Sequence, residues 1–105
     1  MKVYWDKQAE TRRDQIADYI FERFGYRRME EYIEDVEQSV KMICRYPNIG
    51  SIDPLFADRS KEYRSVIVNG LSKMVYNVTD DTINIVAFWD CRQEPATQTQ
   101  GEPKA

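Results

Sequence analysis

Apolar positions recur every three or four residues through the first half of the chain and then switch to alternation, so helices come first and strands follow. Val3–Trp5 reads as a short opening strand. Asp6 has the chemistry of a helix N-cap, because its carboxylate can accept from the free N–H groups of a first turn. Ala9, Arg13, Ile16, Ile20 and Phe24 then keep helical spacing, with Ala17 and Phe21 widening the stripe and Gly25 ending it. Arg13 falls at the margin, stem down and charge out. A second helix is expected over about Tyr26–Arg45, with Met29, Ile33, Val36, Val40 and Ile43 on its apolar face. Pro47 stops it. Two helices joined at one glycine predict an antiparallel hairpin.

Residues 47–60 carry turn chemistry (Pro-Asn, Ile-Gly, Asp-Pro), with Leu55 and Phe56 as the residues expected to pin the loop to the core. After it the period becomes two. Tyr63–Val68, Ser72–Val78 and Thr82–Trp89 read as strands, separated by Asn69-Gly70 and by Thr79-Asp80-Asp81. Met74, Tyr76 and Val78 share one face of the middle strand, and Lys73, Val75 and Asn77 share the other. The expected fold is α+β. An N-terminal strand and an antiparallel helical hairpin pack on one face of a small antiparallel sheet, which ends in a three-stranded meander. The first strand joins that sheet either at an edge or between other strands. One domain is expected over residues 1–95, with a polar tail at 96–105.

Composition narrows the chemistry. The chain of 105 residues has 15 Lys+Arg, 18 Asp+Glu and no histidine. The last fact removes the commonest general base, the commonest metal ligand and any Ser-His or Cys-His nucleophile. The net charge of -3 gives no global attraction to nucleic acid, while leaving room for a local basic site. Cys44 and Cys91 form no Cys-x-x-Cys motif and are expected to be reduced thiols. The start of the chain has no apolar signal-like core, and no run is long enough to span a bilayer, so neither secretion nor a membrane is expected. No Gly-rich phosphate loop, Walker lysine or metal-ligand cluster is present, so no cofactor is implied.

The order strand, helix, helix, three-stranded meander resembles the RelE/ParE superfamily of type II toxin–antitoxin toxins (plasmid stabilisation proteins). The residues that carry the likeness are Tyr63-Arg64, the segment from Lys73 through Val75-Tyr76 to Asp80-Asp81, and the run Asp90-Cys91-Arg92-Gln93-Glu94-Pro95. The resemblance implies a small cytoplasmic bacterial protein neutralised by a cognate antitoxin, which wraps it with a helix or strand. RelE-like members are mRNA interferases that cut in the ribosomal A site, with ribosome and mRNA as partners. ParE-like members keep the scaffold without the nuclease residues and inhibit DNA gyrase. A diverged scaffold that binds antitoxin without toxicity is the further alternative, and a homodimer is compatible with all three.

Cleavage by 2′-OH attack needs a base, an acid and cations to hold the phosphate. Arg64, Lys73 and Arg92 are the candidate catalytic cations, the first two on adjacent strands and the third just past the last strand. Lys73 alternates onto the sheet face opposite the helices. Each also has a plainer reading: Arg64 pairing with an acidic group, Lys73 solubilising a strand, Arg92 closing a salt bridge. Proton transfer is less well provided. The histidine and tyrosine of the nuclease branch fall near Cys91 and Arg92 here, which leaves Glu62, Asp90, Glu94, Tyr63 and Tyr76 as substitutes. Arg59 and Lys61 make only a thin basic loop. Tyr76 reads first as core, and Cys91 as inert. Phe88 and Trp89 must point to opposite faces, so one is core and the other is expected to be an exposed aromatic for docking or self-association. The acidic first half of the second helix suits a basic antitoxin segment.

Overall fold

A computed structural model describes residues 1–54 and 61–91. Leu55, Phe56, Arg59, Arg92, Glu94 and the 96–105 tail lie outside the described residues. The chain runs β1 (Lys2–Trp5), α1 (Lys7–Phe24), α2 (Tyr26–Arg45), β2 (Ser51–Ile52), β3 (Arg64–Val68), β4 (Ser72–Thr79) and β5 (Thr82–Asp90).

Asp6 caps α1 as expected: its carboxylate accepts from the Gln8 N–H at 3.0 Å. Gly25, at φ 93°, ends α1 and starts α2 in a backbone conformation that a side chain would strain. Ala9, Ile16, Ala17 and Ile20 are buried, whereas Phe21 and Phe24 are exposed, so the α1 stripe is narrower than its sequence spacing implies. On α2 the buried positions are Tyr32, Val36 and Ile43, and Ile33 is exposed. Tyr32 takes the core position because its hydroxyl meets the buried Ser72 Oγ at 2.6 Å, so an aromatic ring can be buried with its polar end satisfied.

The strand order is β1-β5-β4-β3-β2. The meander β3–β4–β5 is antiparallel as predicted. The sheet is mixed rather than wholly antiparallel, because β1 takes an edge place parallel to β5, with Val3 opposite Ile83 and Trp5 opposite Ile85. The two strands can lie parallel because the chain between them, both helices and then β2 to β4, is long enough to bring β5 back beside β1 in the same direction. The segment expected to be only turn also contributes β2, pairing Ser51 with Ser65 and Ile52 with Arg64.

Both helices cover one face of the sheet. There Val68, Met74, Tyr76, Ile83, Ile85 and Phe88 meet Ile16, Ile20, Tyr32, Val36 and Ile43. The opposite face carries a second, smaller cluster of Val75, Trp89, Tyr63, Val86 and Ala87. Val86 is the extra residue of a bulge, since Val75 pairs with Ala87 and Tyr76 with Ile85. Past the bulge, the open face turns polar: Asn84 Nδ2 donates to Asn77 Oδ1 at 2.9 Å and to Thr79 Oγ1 at 2.7 Å.

Candidate functional site

Arg64 sits on β3 directly opposite Tyr76, so its side chain belongs to the helix-covered face. There it reaches the turn after α2. One guanidinium nitrogen donates to the Gly50 carbonyl at 2.7 Å and to the Asn48 carbonyl at 3.3 Å, and Glu62 accepts from the others at 3.2 and 3.3 Å. Tyr76 fastens the same turn. Its hydroxyl donates to the Pro47 carbonyl at 2.6 Å and accepts from the Gly50 N–H at 3.0 Å. Burial pushes the Tyr76 phenol above its ordinary value, with the Gly50 N–H and Arg64 acting the other way. Tyr76 is therefore a structural tyrosine, consistent with its core reading, and Arg64 is a clamp on a loop.

Lys73 lies on the opposite face, as its alternation predicts. Its ammonium contacts Asp53 Oδ2 at 2.8 Å and stands 5.5 Å from the centre of the Trp89 ring. Asp53 is fully buried, with its backbone N–H donating to the Tyr63 carbonyl at 2.9 Å. Two charges removed from water hold each other at this distance because the desolvation of each is offset by the other. Trp89 is only 3% exposed, and Phe88 only 2%. Neither is the exposed docking aromatic the sequence suggested, because Tyr63, Val75, Val86, Ala87 and the Lys73 stem make a second core that covers Trp89.

The register decides how these cations relate. Arg64 faces Tyr76 and Lys73 faces Ile67, an odd offset along each strand, so the two side chains leave the sheet on opposite sides. They do not converge on one phosphate. Arg92 and Glu94 lie outside the described residues. Among the remaining proton-transfer candidates, Glu62 is paired with Arg64. Burial, then the neighbouring Asp90 charge, pushes the Cys91 thiol up, so it is protonated and slow to react at neutral pH. No group of three His, Cys, Asp or Glu side chains able to hold a metal occurs among the described residues. Asp53 was missed as a partner for Lys73. Its only sequence signal was an acidic residue within a segment read as turn.

The surface offers binding more readily than chemistry. A groove of about 510 Å³ runs along the helical hairpin, floored by Trp5, Ala17, Val36 and Val40 and rimmed by Arg13, Asp14, Glu37 and Lys41. Arg13 stacks over the Trp5 ring at 4.6 Å and pairs with Asp14 at 2.9 Å, matching its expected place at the helix margin. No described helix is long and apolar enough to cross a membrane.

Solved structures share this architecture. A chain of the chromosomal ParDE toxin–antitoxin system from P. aeruginosa superposes with a TM-score of 0.69 at 19% identity, covering 86% of this chain and 95% of that one. A YoeB dimer from Staphylococcus aureus gives a TM-score of 0.55 at 20% identity, covering 83% and 92%. At these identities the likeness is one of fold. No curated protein sequence matches significantly. The model of the ParE toxin of type II toxin–antitoxin systems (parDE) matches residues 3–95. The RelE/ParE resemblance read from Tyr63-Arg64, Lys73 to Asp81 and the 90–95 run is thus matched by a family model over most of the sequence: the chain belongs to the ParE toxin family.

Proposed function

We propose that this protein is a growth-arresting toxin, held in check by a cognate antitoxin, that acts by binding DNA gyrase rather than by cutting mRNA. The observation that supports the non-hydrolytic route is the separation of Arg64 and Lys73 onto opposite faces, each engaged by its own chain. Phosphoryl chemistry on RNA needs cations and a proton-transfer pair preorganised around one phosphate. The absence of histidine and the net charge of -3 point the same way, since a ribosome-docking nuclease gains from a basic surface. For antitoxin binding, the support is the hairpin groove, whose apolar floor and charged rims suit an amphipathic helix.

Expression in a bacterial host, following growth, transcript integrity and plasmid supercoiling together, tests the proposal. The expected result is arrest with intact transcripts and lost negative supercoiling, relieved by the antitoxin. Codon-phased transcript cleavage that requires ribosomes would show a nuclease instead. Full growth in the presence of folded protein would leave a scaffold without toxicity.

A further inference from the structure

β1 is the outermost strand of the sheet. The Lys2 N–H donates to the Asp81 carbonyl and the Asp6 N–H to the Ile85 carbonyl, both at 2.9 Å, so the even-numbered residues turn their backbone groups toward β5. Alternation then turns the N–H and C=O groups of Val3 and Trp5 outward, away from the sheet. Such an edge is a template for another strand unless shortness, charge, a proline, a bulge or a covering element blunts it; β1 is short, at four residues, and its one charge, Lys2, stands at its end. β1 has no proline, and its ladder with β5 runs without interruption. Its side chains are uncovered, Val3 at 38% and Tyr4 at 59% exposure. The Trp5 ring is folded onto Phe88 and Arg13 and leaves the edge clear.

The sequence of this edge is complementary to itself. Set antiparallel to a second copy about a two-fold axis at Tyr4, Val3 falls opposite Trp5 in two hydrogen-bonded pairs, and these use all the outward groups of both residues. Tyr4 then meets Tyr4 in the closer, non-hydrogen-bonded pair, where aromatic side chains interact well. Lys2 falls opposite Asp6, cation against anion, at both ends of the ladder. Asp6 stays extended (φ -61°, ψ 143°), so the strand direction persists that far. One Asp6 carboxylate oxygen caps α1, and the other is left to face Lys2 of the second copy. Shifting the register by two residues in either direction loses the Lys2–Asp6 pairs. The helices do not crowd the site, as α1 packs chiefly over β5 and α2 over β3.

From these features we infer that β1 is a self-association edge, through which two copies join their five-stranded sheets into one continuous sheet across a two-fold axis. The contact is short beside a standard stable interface of about 1,600 Å², so it forms in a concentration-dependent manner.

Sedimentation equilibrium of the full chain, from about 1 μM to about 1 mM where weak contacts are populated, tests it together with amide exchange. The mass should rise from 12.5 kDa toward twice that value, with the Val3 and Trp5 amides slowing as concentration rises. Val3→Pro removes only an outward donor and should weaken association about tenfold or more while far-UV circular dichroism is unchanged. Should that variant misfold, Lys2→Glu, which sets like charges at both ends, should weaken association and reverse its salt dependence, because salt then screens repulsion instead of attraction. A monomer at all concentrations overturns the inference. So does a dimer whose protection lies at another surface, or Val3 and Trp5 amides already protected in the monomer, which would mark an edge covered by its own chain. None of these outcomes bears on the growth and supercoiling assay, so either proposal can fail alone.

Discussion

Lys73 and Asp53 carry a burden out of proportion to their number. Truncating one member of a buried ion pair strands the other charge, a loss of about 3–5 kcal/mol. Lys73→Met should therefore lower stability by that order in urea denaturation. Adding Asp53→Leu should recover much of the loss, because an apolar pair of similar volume can replace a buried salt bridge. Tyr32 gives a second test. Burial, opposed by the Ser72 hydrogen bond, lifts its phenol from 10.0 to about 12. The folded state thus holds this proton more tightly than the unfolded chain. The stability this contributes is complete below pH 10 and is lost as pH climbs through about 12. Tyr32→Phe strands the Ser72 hydroxyl at a cost of about 1–3 kcal/mol at neutral pH, yet should lose less stability than the parent between pH 9 and 11.5.

At the level of elements, the turn between α2 and β2 is fixed from both sides. The Tyr76 hydroxyl and the Arg64 guanidinium hold three of its carbonyls and one of its N–H groups. A Cβ at Gly50 would lie 2.8 Å from the Ser65 carbonyl oxygen and 2.9 Å from the Tyr76 ring. Gly50→Ala should thus lower the thermal midpoint sharply, since β3 backbone cannot yield as a flexible side chain would, and Tyr76→Phe should cost about 1–3 kcal/mol by stranding the Gly50 N–H. These elements also mark where sequence reading reached and where it stopped. Helix limits at Asp6, Gly25 and Arg45 were legible because capping and glycine chemistry are local. The facing of β3 relative to β4 was not. Asn69 and Gly70 both adopt positive φ, and the Leu71 N–H closes the turn on the Val68 carbonyl at 3.0 Å. Yet the ladder resumes one residue later, at Val68 opposite Ser72. Had Val68 paired with Leu71, Arg64 would share a face with Lys73. One extra residue sends them apart. The Val86 bulge has the same character, being set by packing on Trp89 and Val75 rather than by residue type.

For the whole molecule, the hairpin groove is the surface on which the proposed antitoxin contact can be tested. Ile33 borders the groove and is exposed. Ile33→Lys should leave folding within about 0.5 kcal/mol of the parent while sharply weakening antitoxin capture, measured by titration calorimetry. An antitoxin bound at 100 times its dissociation constant should stabilise the parent by about 2.7 kcal/mol, visible as a raised midpoint that the variant lacks.

The parallel pairing of β1 with β5 sets a clock on synthesis. Trp5 waits for Ile85, 80 residues downstream by their numbers. At about 5–20 residues per second that is roughly 4–16 s of translation, and the helical hairpin, which ends at Arg45, is synthesised in the first half of it. An antitoxin already present would meet a nascent toxin whose hairpin is made and whose sheet is not, so neutralisation can begin before there is anything folded to neutralise.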